Sequence, residues 1–234
     1  MTGGASAGPV GRAAERMRAW IRAGIAATLP WIVRRSLRSG LQGVWADGPW
    51  NELRGGTVLA ANHHAWWDAY LVWYLAARHG LPLAALMDDA QLARFPFFAR
   101  HGAIARSRPR ELVRRVRGGA LGVIFPEGEL RAAGPPGPMA QGAARLAVLA
   151  EAPLRPLAIR VTLRGAPRPE AFLRLGPILE DAQDLDASLA RLVGDLDATL
   201  AATDPEATPP GVDAWLRGRR GADRRARGFE RLWR

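Results

Sequence analysis

A chain of 234 residues with 48% hydrophobic and 24% charged content is long enough for one sizeable folded domain and too apolar for a disordered one. It has no cysteine, which excludes disulfides, thiolate metal sites and a cysteine nucleophile, and four histidines are too few for a histidine-rich zinc site. The net charge of +11, carried by arginine without a single lysine, draws the chain towards polyanions, meaning nucleic acid or an anionic membrane surface.

Residues 1–11, rich in glycine and alanine, read as disordered, and 12–40 as a basic helical region. There Trp20, Ile21, Ile25, Leu29, Trp31 and Ile32 lie among Arg16, Arg18, Arg22, Arg34, Arg35 and Arg38. Tryptophan favours the headgroup level and arginine the anionic surface, so the pattern predicts an amphipathic helix or helix pair lying in a membrane interface. The rival is a helix packed on the core with a solvated basic face. The stretch from Ala23 to Val33 contains Pro30 and falls short of the roughly 20 apolar residues of a membrane span. No secretory signal of the usual form is expected.

Further on, short apolar runs alternate with helical segments. Strands are expected at 57–61, 83–86, 103–105, 120–125, 154–161 and 172–175, and helices at 67–78, 90–98, 109–117, 138–150 and 184–202. In the last helix Leu185, Leu189, Leu192, Leu196 and Leu200 recur at helical spacing. Such alternation predicts an α/β fold, a mostly parallel central sheet flanked by helices, preceded by the membrane-associating segment. Three parts follow: a basic amphipathic segment at 1–42, a catalytic domain at 43–203, and at 204–234 a proline-bearing linker with an arginine-rich tail.

Two segments carry chemistry. The first is Asn62-His63-His64-Ala65-Trp66-Trp67-Asp68. Residues five apart on one helix diverge by roughly 140° around its axis. His63 and Asp68 therefore meet only if the histidine lies in a loop and the aspartate in the first helical turn, which the expected ends of the strand at 57–61 and the helix at 67–78 allow. A carboxylate on one ring nitrogen sets the tautomer and frees the other nitrogen to accept a proton. His64, four residues from Asp68, is the rival base. Either histidine could instead satisfy a buried backbone group. The second segment, Phe125-Pro126-Glu127-Gly128, ends an apolar run with a turn. Gly128 would let backbone N–H groups approach an anionic acceptor, and Glu127 would fix polar groups nearby. Both segments lie at strand ends, where open α/β sheets bind ligands.

These residues resemble the glycerolipid acyltransferases, typified by 1-acylglycerol-3-phosphate acyltransferase. The family's Asn-His-x4-Asp block is matched by Asn62, His63 and Asp68. Gly102-Ala103-Ile104-Ala105-Arg106 is similar to its second block, Phe125–Gly128 is its complete third block, and Pro156 in an apolar strand is similar to its fourth. The resemblance spans roughly residues 43–178. It implies His63 rather than His64 as base, Asp68 orienting it, and acceptor binding by Arg106, Glu127, Gly128 and Arg131. It also implies acyl-CoA or acyl carrier protein as donor, with no acyl-enzyme, no cofactor and no metal. One departure stands out. The family places Thr-Arg-Ser after the third block, whereas Glu129-Leu130-Arg131 follows here, and Glu129 would repel a phosphate near Gly128.

The expectation is a peripheral or monotopic O-acyltransferase on the cytoplasmic face of the cell membrane, transferring a fatty acyl group to a lysophospholipid hydroxyl. The alternative is an acyltransferase or transacylase for a non-phosphate acceptor such as a glycolipid, amino lipid or carotenoid glycoside. A nucleic-acid-binding protein is the rival of another class. Its support is the basic tail with interleaved Trp215, Phe229 and Trp233, but no nucleic-acid motif accompanies it and no nucleic-acid partner is expected.

Overall fold

Two of the strands are wholly buried runs of small or branched apolar residues, which only a sheet covered on both faces can accommodate. The structure, a computed structural model, describes residues 31–219; the segments before and after, including most of the proposed interfacial region and the end of the tail, lie outside the described residues. In chain order the elements are α1 (31–40), β1 (Gly43–Asp47), β2 (Val58–Ala61), α2 (Asp68–Arg78), β3 (Leu83–Met87), α3 (Asp89–Arg94) and β4 (Ala103–Ala105). They continue with α4 (Pro109–Arg117), β5 (Leu121–Ile124), α5 (Gly142–Ala150), β6 (Leu154–Thr162), β7 (Glu170–Leu175), α6 (Leu185–Ala202) and β8 (Asp213–Arg217).

The strands form one sheet in the order β4-β3-β5-β2-β6-β7-β1-β8. The five from β4 to β6 run parallel; β7 is antiparallel to β6, β1 parallel to β7, and β8 antiparallel to β1. The expected mostly parallel α/β sheet is therefore present. Side-chain alternation along β2 splits the core: Leu59 and Ala61 pack with Leu37 of α1 and with Leu71 and Leu75 of α2, while Val58 and Ala60 pack with α4 and α5. Leu189, Val193 and Leu196 of α6 close on Ala158 and Phe172.

Several elements differ from the sequence reading. The helix expected at 90–98 stops at Arg94, because Pro96 pushes Phe95 out of the helical region to φ −127° and ψ 66°. Asp88 caps its start, accepting from the N–H groups of Ala90 and Gln91. The helix expected at 138–150 begins only at Gly142, since Ala140 N–H donates to the carbonyl of Pro126 and holds the chain extended against the turn. Two strands, the edge strand β8 and its neighbour β1, add to those expected. The β8 strand falls within the segment read as linker and tail, and Trp215 and Leu216 are buried there. The α1 helix buries Val33 and Leu37, with Leu41 just beyond its end, so that part of the basic N-terminal region packs on the sheet. On its outer side Trp31 and Ile32 stay exposed, beside Arg34, Arg35 and Arg38.

Adjacent parallel pairing of β2 with β5, with Ala60 opposite Ile124, sets the position of the site. The residues that leave these two strands, Asn62-His63 and Phe125–Gly128, emerge side by side at the carboxyl ends.

Candidate active site

Asn62 is buried and grips β6: its Nδ2 donates to the carbonyl of Ile159 at 3.0 Å and its Oδ1 accepts from Ile159 N–H at 2.8 Å. That double bond of side chain to backbone ends the strand and aims the next residue. His63 then lies in the loop and Asp68 at the first position of α2, the arrangement the spacing required. His63 Nδ1 is 2.8 Å from Asp68 Oδ2. The same oxygen accepts from the N–H groups of His64 at 2.8 Å and Ala65 at 2.9 Å. Asp68 is fully buried, and three donors converging on one oxygen suit a carboxylate. The His63 ring stacks on Phe125 at a centroid distance of 4.3 Å, which sets its plane. About a quarter of the His63 side chain is exposed.

The histidine pair is resolved by what each ring touches. His64 Nε2 accepts from Val161 N–H at 3.2 Å, so this ring is committed to the end of β6. An accepting Nε2 is unprotonated, and burial lowers the His64 pKa accordingly; Arg160 lowers it further, against the raising effect of Asp68. Burial also lowers His79 and His101, each beside an arginine. All three unfolded values lie near 6.5, the ordinary value for histidine. Below that pH the unfolded chain binds protons that the folded chain refuses. Folding stability therefore declines as pH falls from about 6.5, and the loss is complete below the folded values. Thermal melts between pH 8 and 5 measure this, and a midpoint independent of pH across that range would contradict a neutral His64.

Glu127 ties the two motifs together. Its Oε1 accepts from His63 N–H at 2.8 Å and its Oε2 from Gly137 N–H at 3.0 Å. Arg131 N–H donates to the carbonyl of His63 at 2.9 Å, so the loop after the third block is bonded back to the histidine from both sides. Gly128 turns this chain at φ +73°, which favours glycine. Gly102, ahead of β4, has φ +99°, and an added Cβ would stand 2.1 Å from the carbonyl oxygen of Leu83. That close approach lets β4 pair with β3 and sets Arg106 at its end.

Arg106, Glu127, Gly128 and Glu129 line a cleft of about 400 Å³ together with Pro138 and Met139. Arg131 is not among its lining residues; its Nη2 pairs with Glu129 at 2.7 Å and its Nε lies 3.7 Å from Glu127. A larger hollow of about 680 Å³ lies at the opposite end of the sheet and touches none of these residues. Among the described residues no group of three or more His, Asp or Glu could hold a metal ion. Sequence reasoning missed the Asn62 clamp on Ile159, the Phe125 stack and Gly137 as second partner of Glu127. Asn62 and Phe125 stood inside the quoted motifs without a role, whereas Gly137 carried no signal beyond its loop.

Residues 47–160 match the family model described as Acyltransferase. The chain carries an acyltransferase domain. His63, Asp68, Arg106, Glu127, Gly128 and Arg131 all fall within the match. Among solved structures, the acyltransferase resembles the 1-acyl-sn-glycerophosphate (LPA) acyltransferase PlsC from Thermotoga maritima. The TM-score is 0.60 at 17% identity, over 77% of this chain and 83% of that one, and the likeness is one of fold. No curated protein matches the sequence. The kinship that the four blocks implied is thus supported by the family model, and the sheet by the solved structure.

Proposed function

We propose that the protein is a membrane-associated O-acyltransferase that moves a fatty acyl group from acyl-CoA or acyl carrier protein to the hydroxyl of a lysophospholipid, without a cofactor. The observation that carries this reading is the His63–Asp68 contact at 2.8 Å, made while His64 is occupied elsewhere. Asp68 holds Nδ1, and Nε2 is the base. It takes the proton of the acceptor hydroxyl as the oxygen attacks the thioester carbonyl. The C–O bond forms, the tetrahedral intermediate collapses, the C–S bond breaks, and the proton passes from His63 to the leaving thiolate. A positioned base contributes roughly 10²–10⁴ in rate. Arg106 or a backbone donor near Gly128 stabilises the developing oxyanion; one such donor is worth about 3–4 kcal/mol.

No helix among the described residues is long and apolar enough to cross a membrane. Exposed Trp31 and Ile32 beside Arg34, Arg35 and Arg38 favour adsorption on an anionic surface, the cytoplasmic face of the cell membrane in this reading. A non-phosphate acceptor is the second reading, favoured by the Glu129–Arg131 pair, which withdraws an arginine from phosphate binding. The test is thiol release from long-chain acyl-CoA, and separately from acyl carrier protein, with lysophosphatidate, other lysophospholipids and a glycolipid as acceptors. Release that depends on an acceptor is expected. Thioester cleavage indifferent to every acceptor would make the protein a thioesterase and end the reading.

A further inference from the structure

The cleft lined by Glu127, whose carboxylate holds the His63 backbone N–H, contains charge of both signs. Arg106 lines it and forms no ion pair within 4.0 Å among the described residues. Glu127 also lines it, but both of its oxygens are spent, on the N–H groups of His63 and Gly137. Arg131, the second cation in sequence, is held off the cleft. Its guanidinium is drawn to Glu129, and its stem lies so close on Gly137 that an added Cβ there would meet its Nε at 2.8 Å and its Cδ and Cζ at 2.9 Å. Glu129 remains: it lines the cleft, is 65% exposed in its side chain, and pairs with Arg131 through Oε1.

A phosphate monoester, close to doubly charged, would meet one arginine and be repelled by Glu129. A neutral head group would give Arg106 no anion within pairing distance, Asp89 acting on it only at longer range. An acceptor bearing an anion and a cation complements both. We propose that Glu129 selects the acceptor by charge, so that the site takes a zwitterionic lysophospholipid, its phosphodiester at Arg106 and its ammonium at Glu129. This rests on the reading of the cleft as the acceptor site of an O-acyltransferase. It assigns the residue that departs from the third-block pattern a role in specificity, acting on binding and not on the chemical step.

The test compares three acceptors of matched chain length: monoacylglycerol, lysophosphatidylethanolamine and lysophosphatidate. The wild type is expected to use the zwitterion with the highest kcat/KM. Exposed charge pairs are each worth roughly 0.2–1 kcal/mol. Loss of one attraction and one repulsion in Glu129→Gln then shifts the preference for zwitterion over lysophosphatidate by up to about thirtyfold, in KM and not in kcat. Arg131→Gln frees Glu129 from its partner and moves the ratio the opposite way. Opposite shifts in the two variants are the mark of charge selection, because simple disruption of the loop would move both alike. A wild type that prefers lysophosphatidate, or a Glu129→Gln that lowers all three acceptors equally, overturns the proposal. Dissociation constants of the three lipids on His63→Ala protein need no turnover. A preference for the zwitterion that Glu129→Gln removes there would uphold charge selection even if acyl transfer failed. Equal binding of all three would reject it even with transfer intact.

Discussion

His63→Ala loses acyl transfer by roughly 10²–10⁴-fold, the range expected for removal of a positioned base, and keeps its fold. The ring is partly exposed and its single side-chain bond is to Asp68, which retains two backbone donors without it. His64→Ala behaves in the opposite way. Its Nε2 accepts from Val161 N–H, and leaving that part-buried donor unpaired costs about 1–3 kcal/mol. For a chain of this size that is a melting-point loss of roughly 2–4 °C per kcal/mol, while turnover stays near wild type. Steady-state kinetics and thermal melts on the two variants separate the roles. Equal losses of turnover would remove His63 from the mechanism.

Asp68→Ala combines both penalties. It strips the only side-chain acceptor from His63 Nδ1 and from the N–H groups of His64 and Ala65, in a place with no solvent exposure. Each abandoned donor costs about 1–3 kcal/mol, so a large drop in melting temperature accompanies loss of transfer. Asp68→Asn is milder. The two backbone N–H groups can only donate, so they select the amide oxygen for their side, and His63 keeps both its acceptor and its tautomer. What disappears is the negative charge beside the imidazolium. A charged hydrogen bond exceeds a neutral one by about 1–2 kcal/mol, which amounts to a rate loss of roughly tenfold. Denaturant melts and kcat on the three proteins measure this gradient. An Asp68→Asn protein as inactive as Asp68→Ala would mean that charge, and not orientation, carries the function of this residue.

The elements legible in the sequence were those whose signal is local. Continuous apolar runs marked β2 and β5, and Pro109 marked the start of α4, because burial and proline geometry act within a few residues. The spacing of His63 and Asp68 was legible for the same reason: one strand end and one helix start bring them together. The choice between His63 and His64 was not, since it turns on Val161, 97 residues away along the chain from His64. Nor were β1 and β8. The β1 strand is five residues with a glycine at its start and is held between β7 and β8, while β8 sits in an arginine-rich stretch and is held by β1 alone. The fate of Arg131 was equally hidden, because its withdrawal depends on the path of the loop to Gly137 and not on its distance from Gly128.

Pairing of β8 with β1 brings the chain back to where the described residues began. Arg219 N–H donates to the carbonyl of Arg38, and Gly218 N–H to that of Gln42. Exposed Arg34, Arg35 and Arg38 of α1 are thereby gathered on the same edge as exposed Arg217 and Arg219, and none of the five forms an ion pair among the described residues. Closing the sheet therefore works against the mutual repulsion of like charges drawn from distant parts of the chain. Any anion that neutralises this edge relieves that repulsion only in the closed form, so anion binding and folding are thermodynamically linked. An anionic surface would in this way tighten the outermost strand of the fold as it captures the molecule.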